Sequence, residues 1–343
     1  MLNEKLQNQD DKSSKEVNSH RGGVTVVSLF DGISCGMVAL ERAGIPVKKY
    51  YAYEIDEAAI TISRNNHPDI IQCGDVFDAD FTEYSNVDLL IGGSPCTFWS
   101  SAKCPQAKEK KEVTPEGQGW ELFLKCVQAK ETINPTYFLY ENNYGIAPVI
   151  INTISEKLGV EPIMIDSSLV SAQRRKRLYW TNIPNIAQPE NRGIVLRDVA
   201  VFGEQYERTF DDRIRKTIKS TKYGFKYDLG GKGHYPQQDR LYLLDGKAPT
   251  VPKSRTETKI NIYLGDERYK ITCPVECERL QTLPDNYTNY VPKTRRFEAI
   301  GNGWTVEVIA HIFRGLKKNG TNVDSVKTHC DGYIDRPNVG ITY

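Results

Sequence analysis

The sequence predicts an α/β protein: a doubly wound, mostly parallel sheet with a smaller, irregular domain attached. Three observations carry that prediction. Between residues 24 and 183, short apolar runs alternate with segments of helical periodicity, the pattern of strands joined by crossover helices. Between 185 and 270 the alternation stops. Turn signals such as Leu229-Gly230-Gly231-Lys232-Gly233-His234 and Ala248-Pro249-Thr250-Val251-Pro252 take over, among basic and tyrosine-rich patches. From 274 helical patterning returns, in 274–283 and in a helix over 305–317.

Taken in order, residues 1–22 are polar and charged, lack the apolar stretch of a secretory signal, and are expected to be disordered. Residues 24–30 read as the first strand, followed by a helix through 37–43. A strand at 49–53 precedes a helix over 56–65. Further strands fall at 70–73, 87–91 and 137–140, with a helix at 120–132 before the last. Two more are expected at 160–165 and 178–181. The expected division is 23–184 with 271–318 as one domain, 185–270 as an insert, and 319–343 as a polar tail.

Composition narrows the class. Hydrophobic residues make up 39% and charged residues 26% of 343, ordinary for a globular chain, and no run is long enough to span a membrane. The eight cysteines are scattered, which suits reduced thiols in a cytoplasmic protein. Cys273 and Cys277 lie four apart without a second pair of ligand spacing, so no metal site is expected. A net charge of +1 does not announce a nucleic-acid partner, yet 103–111 and 208–232 are locally basic.

Ligands of a doubly wound sheet sit outside the carboxyl ends of its strands. The first end reads Phe30-Asp31-Gly32-Ile33-Ser34-Cys35-Gly36, where small residues let a ligand approach the backbone. It is not the GxGxxG of a pyrophosphate cradle, which argues against a nicotinamide dinucleotide. The second strand ends at Glu54, placed to accept from ribose hydroxyls, and the third near Asp75, placed to accept from an exocyclic amine. Each acid alone reads as a cap or turn residue; three successive suitable ends imply a nucleoside lacking a pyrophosphate, which S-adenosylmethionine fits.

A second set of strand ends is reactive. Val87-Asp88-Leu89-Leu90-Ile91-Gly92-Gly93-Ser94-Pro95-Cys96 presents a thiol, Tyr137-Phe138-Leu139-Tyr140-Glu141 a carboxylate, and Gln173-Arg174-Arg175-Lys176-Arg177 a pair of arginines. Thiol, carboxylate and arginine together suit attack on an electron-poor heteroaromatic ring.

These segments, with Arg279-Leu280-Gln281-Thr282-Leu283-Pro284-Asp285 and Gly301-Asn302-Gly303-Trp304, resemble in kind and order the DNA (cytosine-5) methyltransferase family. Ser28-Leu29-Phe30-Asp31-Gly32-Ile33 and Gly92-Gly93-Ser94-Pro95-Cys96 are also similar to its animal de novo branch. The resemblance implies a Rossmann-like, S-adenosylmethionine-dependent fold, and methylation of carbon 5 of a cytosine flipped out of double-stranded DNA. It makes Cys96 the nucleophile that adds to carbon 6, Glu141 the acid at the N3/N4 edge, and Arg177 the contact to the base carbonyl. Arg175 assists at that edge or positions the Cys loop. Phe30, Asp31, Gly32, Ser34, Gly36 and Glu54 become the first half of the cofactor site. Ile55, Asp75, Val76, Pro95, Asn302 and Trp304 complete it. The insert 185–270 takes the target-recognition position, and a monomer is expected.

The sequence departs from many relatives where Thr97-Phe98-Trp99 follows the cysteine and Asn143 follows Glu141-Asn142. An RNA methyltransferase on the same framework is the alternative, but the Cys-Phe-Thr stretch typical of tRNA-acting relatives is missing. A catalytically silent DNA-binding regulator would have lost the cysteine or the glutamate, and both are present.

Overall fold

The computed structural model describes residues 22–99, 111–222, 224–226, 240–253 and 260–317. The expected lead-in and tail, the lysines of 103–110 and the 229–234 turn lie outside the described residues.

The main sheet has seven strands: β1 (Val24–Leu29), β2 (Val47–Tyr53), β3 (Ile71–Gly74), β4 (Leu89–Gly92), β5 (Tyr137–Asn143), β6 (Ile163–Asp166) and β7 (Lys176–Thr181). Their spatial order is β3-β2-β1-β4-β5-β7-β6. All pairs are parallel except those of β7, which runs antiparallel to β5 and β6. The crossovers carry α1 (Cys35–Ala43), α2 (Glu57–Asn66), α3 (Gln118–Ile133) and α4 (Pro148–Leu158). The last of these has no counterpart in the sequence reading; Pro148 sits in its first turn, where a missing N–H costs nothing.

The chain steps outward from β1 to β3, then returns to place β4 on the other side of β1. The strand order therefore reverses between β1 and β4, and a crevice opens at their carboxyl ends. β7, running the opposite way, begins at the end where β4 and β5 finish. That reversal brings Arg177, near its start, level with Asn143 at the end of β5.

Residues 185–270 are not irregular, as the sequence suggested. Beyond the short helices α5 (Leu196–Val199) and α6 (Asp212–Thr217) they build a second sheet from β8 (Glu207–Thr209), β9 (Lys219–Thr221), β10 (Gly224–Lys226), β11 (Arg240–Leu243) and β12 (Asn261–Gly265), joined by β13 (Arg268–Ile271). Its order is β8-β13-β12-β11-β10-β9. Strands of three to five residues are too short for alternation to be read. The β12–β13 turn places Asp266 (φ 48) and Glu267 (φ 56) in the left-handed region without the Asn-Gly signature of such hairpins.

The chain then returns through α7 (Pro274–Leu280), α8 (Lys293–Asn302) and α9 (Val306–Lys317). Two apolar cores flank the main sheet. On one face Val26 and Ile91 pack with α1, α2 and α9, represented by Leu40, Ile62 and Phe313. On the other Val27 and Leu29 pack with Phe123 of α3 and Ile154 of α4. Alternate residues of β1 serve opposite faces, as a strand covered on both sides requires. A third core joins the small sheet to α7 and α8 through Tyr242, Ile262, Cys277, Leu280 and Phe297.

At that seam Lys270 of β13 and Glu276 of α7 form a fully buried ion pair. Glu276 also accepts from the backbone N–H of Cys273 (2.7 Å) and of Val201 (3.0 Å), so its charge is hydrogen-bonded as burial demands.

Candidate active site

The turn after β1 is built from left-handed residues, Phe30 (φ 56), Gly32 (φ 61) and Ser34 (φ 58). A Cβ at Gly32 would meet nothing within 4 Å, and the same holds at Gly74 at the end of β3, so both glycines open onto space. Asp31 turns inward. Its carboxyl accepts from the hydroxyls of Ser28 (2.6 Å), Ser34 and Tyr50 (2.7 Å). Burial pushes its pKa up to about 6, against the pull of those donors. Ser34 is itself buried and also bonds Ser63 at 2.7 Å. Asp31 and Ser34 thus shape the turn from below. Gly36 lets α1 lie close on the sheet, since a Cβ there would fall 2.4 Å from Ile91 and 2.7 Å from the Tyr50 hydroxyl.

Glu54, at the end of β2, accepts from the backbone N–H of Gly32, Ile55 and Asp56, each at 2.8 Å. It ties the first two strand ends together before any ligand arrives. Asp75 accepts from Phe77 N–H at 2.9 Å, capping the turn that follows β3. The side chain of Val76 is buried in the core, so it faces the crevice with its backbone at most. Ile55 (67% exposed) and Phe77 (47% exposed) instead present apolar side chains beside the strand ends. Phe77 was missed in the sequence; a large aromatic just past a strand-end acid, outside the apolar periodicity, is the signal.

The turn after β4 runs through Gly93, buried Ser94 and exposed Pro95, and the backbone of Cys96 opens a single 3-10 turn, Cys96–Phe98. Asn142 secures it from β5, donating to Ser94 O at 3.2 Å and to the Tyr140 hydroxyl at 3.1 Å, which in turn bonds the Ser94 hydroxyl at 2.7 Å. Asn143, the departure from many relatives, is buried and accepts from Gly145 N–H at 2.8 Å, closing the turn beyond β5. Beyond Cys96, Trp99 is fully buried and donates its indole N–H to Glu112 at 3.0 Å. Ser94, Tyr140 and Glu112 are further contributors that sequence reasoning did not pick out.

Glu141 is largely buried at the end of β5. One carboxylate oxygen meets Arg177 Nε at 3.0 Å and the other the indole N–H of Trp304 at 2.9 Å. Arg175 is buried deeper and donates to the carbonyls of Gly303 (3.0 Å), Gly301 (3.3 Å) and Val251 (3.4 Å). Its expected place was at the base edge or behind the Cys loop; these bonds brace the turn that carries Trp304. Exposed Asn302 lies in the same turn. Of the expected residues, the fold therefore gathers the ends of β1, β4 and β5, the start of β7 and the 301–304 turn around one crevice.

A profile of the C-5 cytosine-specific DNA methylases matches residues 24–318, nearly the whole described chain. The chain belongs to the C-5 cytosine-specific DNA methylase family. It is 37% identical over 331 residues to the type II methyltransferase M.Eco47II of Escherichia coli, covering 83% of this chain and 76% of that one. The type II methyltransferase M.NlaX of Neisseria lactamica is 23% identical over 85% of this chain and 96% of its own. Among solved structures, the Entamoeba histolytica methyltransferase EhMeth superposes with a TM-score of 0.63 at 14% identity, covering 87% of this chain and 99% of that one. The Dnmt2 methyltransferase of S. pombe gives 0.59 at 15% identity, over 86% and 98%. At those identities the structures speak for the fold, which is the Rossmann-like methyltransferase fold. As a C-5 cytosine-specific DNA methylase, the protein transfers a methyl group from S-adenosylmethionine to carbon 5 of cytosine in DNA. Among the described residues no helix is long and apolar enough to cross a membrane, and no three His, Cys, Asp or Glu side chains are grouped to hold a metal ion.

Proposed function

We propose that Cys96, Glu141 and Arg177 are the catalytic residues of this methylase, acting on a cytosine rotated out of double-stranded DNA. The observation that carries the reading is the Glu141–Arg177 pair at 3.0 Å, one strand over from the turn that presents Cys96. Carbon 5 of cytosine is a poor nucleophile. Addition of the Cys96 thiolate to carbon 6 breaks the 5,6 double bond and pushes its electrons toward carbon 5. Glu141 holds the N3/N4 edge and favours the addition by stabilising the protonated ring. Arg177 fixes the carboxylate from behind and offers donors to the base carbonyl. S-adenosylmethionine, when bound, supplies the electrophilic methyl. Loss of the carbon 5 proton and departure of the thiolate restore the aromatic ring.

The residues at the strand ends suit that cofactor. Gly32 and Gly74 leave room above the backbone, Glu54 is preset for ribose hydroxyls, and Asp75 for an exocyclic amine. Ile55 and Phe77 offer apolar faces to an adenine ring, while Asn302, Trp304 and Pro95 form the far wall. Phe30, Asp31, Ser34, Gly36 and Val76 act through the backbone path they impose. Residues 23–184 and 271–318 are the catalytic body in this reading, 185–270 read the target sequence, and the protein works as a monomer in the cytoplasm.

A duplex with 5-fluorocytosine at the target position tests the assignment, because fluorine at carbon 5 blocks the final elimination. Wild type is expected to form a covalent complex stable to denaturing electrophoresis, and Cys96→Ser to form none. An adduct with Cys96→Ser would end the assignment. Methyl transfer to total tRNA and none to duplex DNA would move the substrate to RNA.

A further inference from the structure

We propose that Trp304 is a positioning residue for Glu141, its indole N–H setting the carboxylate and linking it to the wall of the cofactor site. The inference rests on the catalytic assignment of Glu141 made above. The indole occupies a junction. Its Nε1 lies 2.9 Å from Glu141 Oε2, and a Cβ added at Gly93, in the turn before Cys96, would be 3.2 Å from Nε1 and 3.0 Å from that oxygen. The opposite edge of the ring reaches toward Gly36 in the first turn of α1, where a Cβ would stand 3.8 Å from Cζ3. One rigid side chain thus stands beside the helix after the β1 turn and beside the β4 turn while it bonds the carboxylate.

Its backbone is held as firmly. The backbone N–H of Trp304 faces the Cys35 thiol, whose pKa burial pushes up to about 12. Gln281 donates to Ile300 O and Gly303 O, both at 2.9 Å, and Arg175 adds its bonds to Gly301 and Gly303. Thr305 donates to Gln281 at 2.9 Å, closing the network behind the ring. A side chain so fixed cannot follow a wandering carboxylate; the carboxylate must come to it.

The count of lone pairs explains what this achieves. A carboxylate offers about four acceptor directions, two on each oxygen. Trp304 takes one on Oε2, while Arg177 Nε stands as an ion-pair partner 3.0 Å from Oε1. The other directions remain for donors on the edge of a base. With Arg177 alone, the carboxylate could rotate about its single hold. A displacement of the Trp304 ring by cofactor would be felt directly at Glu141.

Two variants test this: Trp304→Phe, and replacement of Trp304 by 3-benzothienylalanine, which keeps the bicyclic shape and removes only the N–H. Both are assayed as full-length enzyme for kcat on duplex DNA, for S-adenosylmethionine affinity by calorimetry, and for the 13C carboxyl resonance of Glu141. The last is read from 13C-glutamate spectra, with the resonance assigned by its absence in Glu141→Gln. With benzothienylalanine, kcat is expected to fall about tenfold or more while cofactor affinity changes less than about threefold, as loss of one charge-assisted hydrogen bond to the carboxylate predicts. The Glu141 carboxyl resonance should move at constant pH, because the carboxylate has lost a donor. An unchanged kcat and an unmoved resonance would overturn the proposal and leave Trp304 a cofactor wall only. Full activity in Glu141→Gln would instead overturn the catalytic assignment, and the resonance would still decide whether the indole holds the carboxylate.

Discussion

At the scale of single residues, Asp31 shows how a ligand turn stores an ionisable group. Its carboxyl is surrounded by Ser28, Ser34 and Tyr50, and burial raises its pKa to about 6 from an ordinary 3.8. A carboxyl raised in the folded state contributes stability that is full below the unfolded value and lost as pH rises through the folded one. Asp31→Asn stays neutral throughout. The variant should therefore gain on wild type between about pH 4 and pH 6, with a level gap above that, in urea unfolding of cofactor-free protein. A gap independent of pH would mean that the carboxyl is not buried in solution. The residues proposed to react, Cys96, Glu141 and Arg177, each sit at or near a strand end, where an apolar run meets a polar group, and that placement was legible in the sequence. The bond between Glu141 and Trp304 was not, because 163 residues separate the partners and nothing local couples them. Asp75 shows the limit of reading residue types, since capping the turn after β3 and serving a ligand call for the same carboxylate.

At the scale of elements, the alternation of strand and helix revealed the main sheet because its central strands β1, β4 and β5 are covered on both faces and read as apolar runs. It did not reveal that β7 runs backwards, the one reversal that brings Arg177 to Glu141. Strand direction leaves no mark in residue pattern; it follows from the connection, and the chain between β6 and β7 is too short for a crossover helix. The second sheet was hidden for a different reason. Its strands are short, and its core is completed by α7 and α8 from the far side of the insert. The Lys270–Glu276 pair welds β13 to α7 at that seam. Lys270→Met should destabilise the protein by about 3–5 kcal/mol, the cost of leaving a buried charge without its partner. Lys270→Met combined with Glu276→Leu should recover part of the loss, since the backbone N–H groups of Cys273 and Val201 lose their acceptor. Chemical denaturation of the three proteins measures it, and a double variant no better than the single would show that the pair acts through its backbone bonds rather than its charge.

At the scale of the whole molecule, net charge misleads. The chain is nearly neutral at +1, yet Arg213, Lys216, Lys219 and Lys222 are exposed together on α6 and around β9. Each phosphate neutralised contributes a slope of about −0.9 in log affinity against log salt. Binding of a cognate duplex should therefore show a slope of roughly −3 or steeper, followed by fluorescence anisotropy with a saturating cofactor analogue. A slope near zero would mean that this face does not meet the phosphate backbone.

The return of the chain after the second sheet has one more consequence. The crevice opens between β1 and β4, both in the first third of the sequence, but the indole on Glu141 and the helix packed against α1 come from 293–317. A polypeptide still emerging from the ribosome has its thiol and carboxylate strands long before it has Trp304 or α9. It can pair those strands, yet it leaves the apolar side of α1 bare and Glu141 held from one side. On the role proposed for Trp304, a product that stops before residue 293 keeps the paired strands but lacks the second hold on Glu141.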